Sequence, residues 1–187
     1  MNIHQLSVIY VDEQDRILVR FNTNEGEELR LWLTRRMVSR VWEPLREAVG
    51  HLESKKTPLP DSSESTRRML TDLRRAEVLQ QSDFATPFKD ESVKLPLGSE
   101  PLVVTQMNLS VQDHKHLQIG FEERLPQQEE ARGFQVAMES TMLHGFVHLL
   151  AAALTKSQWK LASAAQDDAH AGIVDEGNGE ARPRYLQ

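Results

Sequence analysis

The chain has 187 residues, no cysteine, a net charge of −6, 39% hydrophobic residues and 27% charged residues. That length suits one good core, or two small ones sharing an interface, and the lack of cysteine excludes disulfides, thiolate catalysis and cysteine-ligated zinc or iron–sulfur centres. The acidic balance argues mildly against a dedicated nucleic-acid binder, which usually carries a basic face.

At the start, Met1-Asn2-Ile3-His4-Gln5 shows no basic segment leading into an apolar stretch, so no signal peptide is expected. The longest apolar run, around Leu149 to Leu154, is far too short to span a bilayer. Together with the missing cysteine, this places the protein, as an expectation, in the cytoplasm without a membrane partner.

Residues 5–11 read as a strand, being rich in β-branched and aromatic types. Asp12-Glu13-Gln14-Asp15 is a polar turn, and residues 16–22 alternate around Ile17, Val19 and Phe21 as a second strand. A turn at Asn22–Gly26 follows, with glycine available for positive φ. Residues 28–33 form a third strand, and Thr34 is a plausible helix N-cap. The period then changes from 2 to about 3.6, with Met37, Val38, Val41, Trp42, Leu45 and Val49 on one stripe. Pro44 conflicts with that stripe and predicts either a kink or two helical pieces, 34–42 and 45–53.

The stretch 55–101 reads as a linker built around one amphipathic helix, 66–81. That helix carries Met69, Leu70, Leu73, Ala76 and Leu79 on one side and Arg67, Arg68, Arg74 and Arg75 on the other. Phe84 and Phe88 should pin the irregular stretch after it to the core. Strands at 103–111, 116–122 and 133–138 then lead into a helix at 139–156. Beyond it the composition turns small, polar and acidic, and 161–187 reads as a disordered tail.

The two ends of the chain share one hydrophobic pattern. Ile9, Val11, Ile17, Val19 and Phe21 recur 100 residues later as Leu109, Val111, Leu117, Ile119 and Phe121. Leu29, Leu31, Leu33, Met37, Val38, Val41 and Leu45 recur 105 residues later as Phe134, Val136, Met138, Met142, Leu143, Phe146 and Leu150. The expected architecture is α+β: two β-β-β-α units with antiparallel sheets, over 1–54 and 102–160, related by pseudo-twofold symmetry and sharing a core.

The two units differ on their outward faces. In the second, Gln106, Asn108, Ser110, Gln118 and Gln135 oppose the apolar set, so that face should meet water. In the first, the inner set reads as Ile9, Val11, Ile17, Val19, Phe21, Leu29 and Leu31, and the other face as Val8, Tyr10, Leu18, Arg20, Arg30 and Trp32. That second face is too apolar to stand bare. The 66–81 helix, a second copy of the chain or a ligand should cover it.

Tyr10, Leu18, Arg20, Arg30 and Trp32, with Arg35 and Arg36 at the helix start, are therefore the candidate binding surface. Trp, Tyr and Arg are the usual anchors of protein interfaces. The same types also suit single-stranded nucleic acid, with bases stacked on rings and arginines on phosphates. The acidic balance favours the protein interface.

His144 and His148 lie at i and i+4, and His114 and His116 alternate in the second hairpin. No His-Glu-x-x-His pattern is present. The internal match puts His144 and His148 where Ser39 and Glu43 stand, so both are expected on the polar side of the helix and no metal site is assigned. Met37, Met69, Met138 and Met142 are expected as core filler. No phosphate-binding glycine loop and no nucleophile elbow occurs, so neither an enzyme nor a cofactor is expected.

The Val8–Phe21 hairpin and Leu29–Leu45 resemble the strand–strand–strand–helix repeat of Whirly and Pur-type proteins over about a quarter of the chain; those families usually add a fourth strand and a basic face. That resemblance implies single-stranded nucleic-acid binding. The acidic balance and mixed β/α order are also similar to type III secretion chaperones, although their opening helix has no counterpart. The reading that emerges is a non-enzymatic cytoplasmic adaptor, homodimeric through the arginine-bearing face, with single-stranded nucleic-acid binding as the alternative.

Overall fold

The computed structural model describes residues 3–56, 94–112, 116–126 and 130–161, with scattered positions between 65 and 88. The expected tail 162–187, most of the linker, and His114 lie outside the described residues.

The fold is α+β. Strands β1 (Ile3–Val11), β2 (Arg16–Thr23) and β3 (Glu28–Thr34) form an antiparallel meander, and helix α1 (Arg35–Lys56) follows directly. Short β4 (Leu102–Val103) adds to β3 in parallel, giving the order β1-β2-β3-β4. The second unit repeats the plan with β5 (Gln106–Gln112), β6 (His116–Glu123), β7 (Arg132–Glu139) and α2 (Ser140–Ser157), its sheet ordered β5-β6-β7.

Thr34 caps α1 as expected, its Oγ1 accepting from the Met37 N–H at 3.2 Å. The helix runs as one element through Pro44. Pro44 is exposed, so the Arg40 carbonyl that loses its partner has water available.

The units interlock. α2 packs against β1 of the first unit, and α1 lies beside β5 of the second as well as against α2. The shared core takes Ile17, Val19, Leu31, Leu33, Leu117, Ile119 and Met138 from the sheets and Val38, Leu45, Leu143 and Leu150 from the helices. Each such side chain contributes roughly 1.5–3 kcal/mol on burial. Phe21 joins the halves: its ring lies 5.9 Å from Phe121, 5.9 Å from Phe134 and 6.4 Å from Phe146. These positions match the duplicated pattern of β2/β6, β3/β7 and the helices.

The first strand departs from that pattern. In β1/β2 the opposed pairs are Leu6↔Phe21, Val8↔Val19 and Tyr10↔Ile17. Directly opposed residues of an antiparallel pair share a face. The inward set of β1 is therefore Leu6, Val8 and Tyr10, and Ile9 and Val11 point outward. In β5/β6 the pairs are Met107↔Phe121, Leu109↔Ile119 and Val111↔Leu117. The equivalent of Val8 is thus Leu109, 101 residues on, rather than 100.

Turn length is the cause. Four residues separate Val11 from Arg16, and three separate Gln112 from His116. The extra residue is accommodated by a 3₁₀ turn at Asp12–Gln14 and by Asp15 in the left-handed region, at φ 49° and ψ 47°. One added residue reverses every side chain of the strand.

Three further expectations are corrected. Met69 and Leu73 are helical, but 75% and 65% exposed rather than packed in the core. His144 is buried, not on a polar helix face, and so is Ser140 one turn before it. Leu161, assigned by sequence to the tail, is buried with Trp159.

Candidate binding face

The outward face of the first sheet is built from rows that cross its strands. Ser7, Arg20 and Arg30 form one row. Ile9, Leu18, Trp32 and Val103 form the next, and Val11, Arg16 and Thr34 the last. The middle row is an unbroken apolar bar across four strands. Ile9 is 45% exposed, while Leu18, Trp32 and Val103 are half-buried.

Leu18, Arg20, Arg30 and Trp32 therefore share a face, as the sequence predicts, and Ile9, Val11 and Val103 belong with them. Tyr10 does not. It points to the opposite side, where its hydroxyl donates to Asp15 Oδ1 at 2.8 Å and its ring meets Trp159 edge-on at 5.8 Å. Trp159 Nε1 donates to the same oxygen at 2.6 Å. The bond to Asp15, aided by burial and the nearby negative charge, pushes the Tyr10 phenol up to about 12. The donors Trp159 and Tyr10, with the Arg35 charge beyond them, hold the Asp15 carboxyl below its usual range. This cluster clamps the end of α2 to the first hairpin. Arg35 adds a contact to the Lys160 carbonyl at 3.4 Å.

The two sheet arginines are already engaged. Glu28 is buried in the row beyond them, with Oε1 3.0 Å from Arg20 Nε and 3.8 Å from Arg30 Nε. Arg30 Nη2 donates to the Ser99 carbonyl at 2.8 Å. The Arg20 guanidinium lies 4.0 Å from the centroid of Phe88, so that ring holds the linker to an arginine of the outward face and not to the core; Phe84 lies outside the described residues.

The stretch around Phe88 and Ser99, which is not among the covers expected from sequence, lies over part of this face. Lys94 exchanges backbone bonds with Gly26 and Glu28, and Val104 N–H donates to the Trp32 carbonyl at 3.1 Å. Arg35 and Arg36 are exposed on the first turn of α1, beyond the Arg16 row.

The second sheet presents a different outward surface. Gln106, Asn108, Ser110 and Gln135 are exposed and Gln118 is half-buried, in agreement with the expected solvated face. Asn108 donates to Glu122, and Gln118 to Gln135. The charged anchor of this half sits at its end. Buried Glu123 accepts from Arg132 Nε at 2.8 Å and from the Val103 N–H at 2.8 Å, tying β4 to the second sheet.

His116 lies 3.6 Å from Glu139, and His148 is half-buried. No group of three or more metal-ligating residues occurs among the described residues, and no helix among them is long and apolar enough to cross a membrane. Comparison with family models, with curated proteins and with solved structures finds no match.

Proposed function

We propose that this chain is a non-enzymatic adaptor that binds a protein partner in the cytoplasm through the outward face of its first sheet. One observation carries the reading. The bar Ile9–Leu18–Trp32 has as its exact-register counterpart in the second sheet the row Ser110–Gln118–Ala137. Two units of one plan have kept matching inward faces and opposite outward ones. Solvation alone asks for the polar version, so the apolar one needs another reason.

In this mechanism the Trp32 bar supplies the buried area. Arg16 and Arg36 at its margin orient the partner, while Arg35 is drawn to the clamp at Asp15 and Lys160. Arg20 and Arg30, held by Glu28, stiffen the platform. Large apolar side chains ringed by arginines make a typical interface centre. Single-stranded nucleic acid is less well served, because Tyr10 faces away and the Arg20 and Arg30 guanidiniums are already engaged by Glu28, by the Phe88 ring and by the Ser99 carbonyl.

The test compares the full chain with Trp32→Glu. A polypeptide captured by the wild-type protein, identified by mass spectrometry and prepared pure, should bind wild type and lose binding to Trp32→Glu, with both proteins equally folded by circular dichroism. A labelled single-stranded oligonucleotide should give a flat titration. Oligonucleotide binding that falls steeply with salt and is weakened by Trp32→Glu would sink the adaptor reading.

A further inference from the structure

The last described residue, Leu161, is buried at one end of the first sheet. The two residues before it are held there. Trp159 Nε1 donates to Asp15, in the turn between β1 and β2, and the Lys160 carbonyl accepts from Arg35, the first residue of α1. That end carries the last outward row, Val11–Arg16–Thr34, with Arg36 exposed beyond it. The apolar bar Ile9–Leu18–Trp32 lies two residues further along the strands, about 7 Å away. Residues 162–187 therefore begin beside the apolar bar.

Their sequence complements this face. Asp167 and Asp168 come first, then the apolar pair Ile173-Val174, then Asp175 and Glu176. From its end the face reads in matching order. Arg16 and Arg36 come first, then the bar, then Arg20 and Arg30, two guanidiniums against the single buried carboxylate of Glu28. The other apolar pair of this stretch, Tyr185-Leu186, follows Arg182 and Arg184, which the same face repels. Reach is no obstacle, since the 12 residues from Leu161 to Ile173 span up to roughly 40 Å when extended.

We propose that residues 167–176 of the chain itself lie over the outward face of its first sheet, with Ile173 and Val174 on Leu18 and Trp32 and the flanking carboxylates against the arginines, so that a partner must displace them. The displacement step rests on the adaptor reading; the intramolecular contact does not. Asp12 and Glu13 are exposed in the β1–β2 turn and repel an acidic segment, so the path crosses the sheet end on the Arg16–Thr34 side. Tethering makes a modest contact sufficient. A segment with a Kd of about 0.1 mM, held at an effective concentration of about 1 mM, leaves the face open in about a tenth of molecules.

Spin labelling tests the contact in the full chain. The sequence has no cysteine, so Ala171→Cys supplies one site for a nitroxide. In NMR spectra of isotope-labelled protein the nitroxide should broaden the Trp32 indole N–H and the Ile9 and Leu18 methyl signals. The Ser110 and Gln135 amides, on the outward face of the second sheet, should stay sharp. Adding Ile173→Ser and Val174→Ser to the spin-labelled chain should sharpen the first set again. Spin-labelled chain mixed with separate isotope-labelled chain should show no broadening. The proposal fails if Trp32, Ile9 and Leu18 stay sharp, if the serine changes leave their broadening unaltered, or if the mixture shows it, which would assign the face to a second copy's tail. Without the label, Ile173→Ser/Val174→Ser should bind the captured partner polypeptide about tenfold tighter than wild type. Broadening at Trp32 with unchanged partner affinity would keep the tail on this face and sink the adaptor reading. Sharp Trp32 signals together with lost partner binding in Trp32→Glu would do the reverse.

Discussion

Position by position, the two sheets agree inward and disagree outward. Inward, Ile17, Val19 and Phe21 face the same core as Leu117, Ile119 and Phe121, and all six are buried. Outward, Leu18 answers to Gln118, Arg20 to Gly120, Arg30 to Gln135, Trp32 to Ala137 and Glu28 to Gly133. A shared core constrains volume and shape on the inside. Outside, each sheet has been free to take its own composition. The first carries bulk and charge that chain segments partly cover, and the second carries amides and small residues that water covers. The contrast separates what the shared core requires from what each outward face is free to vary.

The inward agreement can be broken at the aromatic centre. Phe21→Ala and Phe121→Ala should each cost about 3–5 kcal/mol. Their rings lie 5.9 Å apart, so the double variant should cost less than the sum, because the second truncation enlarges a cavity already present. Urea unfolding of the three variants checks this. Strict additivity would mean that the two halves have separate cores.

The outward disagreement can be sharpened at Glu28 and Gly133, which hold equivalent places. Glu28→Gly gives the first sheet the residue of the second. It should cost about 3 kcal/mol, because Arg20 and Arg30 lose the buried carboxylate between them. Gly133→Ala should cost about 1–3 kcal/mol by overpacking. A Cβ at Gly133 would lie 2.4 Å from the Phe121 carbonyl oxygen and 3.2 Å from Glu122 Cα, both of them backbone that cannot swing aside. Chemical denaturation again reads both. A neutral Gly133→Ala would show that β6 and β7 are less closely apposed there.

Much of this was legible in the sequence, for one reason: where apolar and polar residues alternate cleanly, as in β2, β5, β6 and β7, the period fixes the face. β1 lacks that contrast. Leu6, Val8, Ile9, Tyr10 and Val11 offer apolar residues to both sides, so the face is chosen by the parity of the turn, and the fourth turn residue reverses it. Alternation alone therefore puts Tyr10 on the wrong face. The same comparison of turn lengths, four residues against three, was available as a signal. The stretch 103–111, read from sequence as one strand, is divided between β4 of the first sheet and β5 of the second, because two residues carry no period of their own and the strand character of β4 depends on pairing with Trp32 and Leu31. Trp159 and Leu161 are too few to form a stripe; a tryptophan standing in a polar stretch was the only hint. His144 sits among buried neighbours that the helix stripe places on both sides of it, so a histidine alone did not mark that angle as polar.

The smallest expected effect concerns a feature of the first unit alone. The turn carrying Asp15 holds Tyr10 and Trp159 by one carboxylate oxygen. The second hairpin has one residue fewer there. Asp15 titrates below its ordinary 3.8 in the folded chain, so its contribution is complete above that value and is lost as pH falls through the lowered one. Tyr10 behaves in the opposite sense. Its contribution is complete below 10.0 and is lost as pH rises toward about 12. Asp15→Asn keeps an oxygen acceptor for both donors but removes the charge. Thermal unfolding of this variant should therefore vary less steeply than wild type with pH at the acid end, with a modest loss of stability at neutral pH. Trp159→Phe should keep the ring packing and give up one donor, leaving a shallower acid dependence than wild type but a steeper one than Asp15→Asn. If all three proteins show the same acid slope, the clamp between the end of α2 and the first hairpin does not form, and the extra turn residue serves only to set the register of β1.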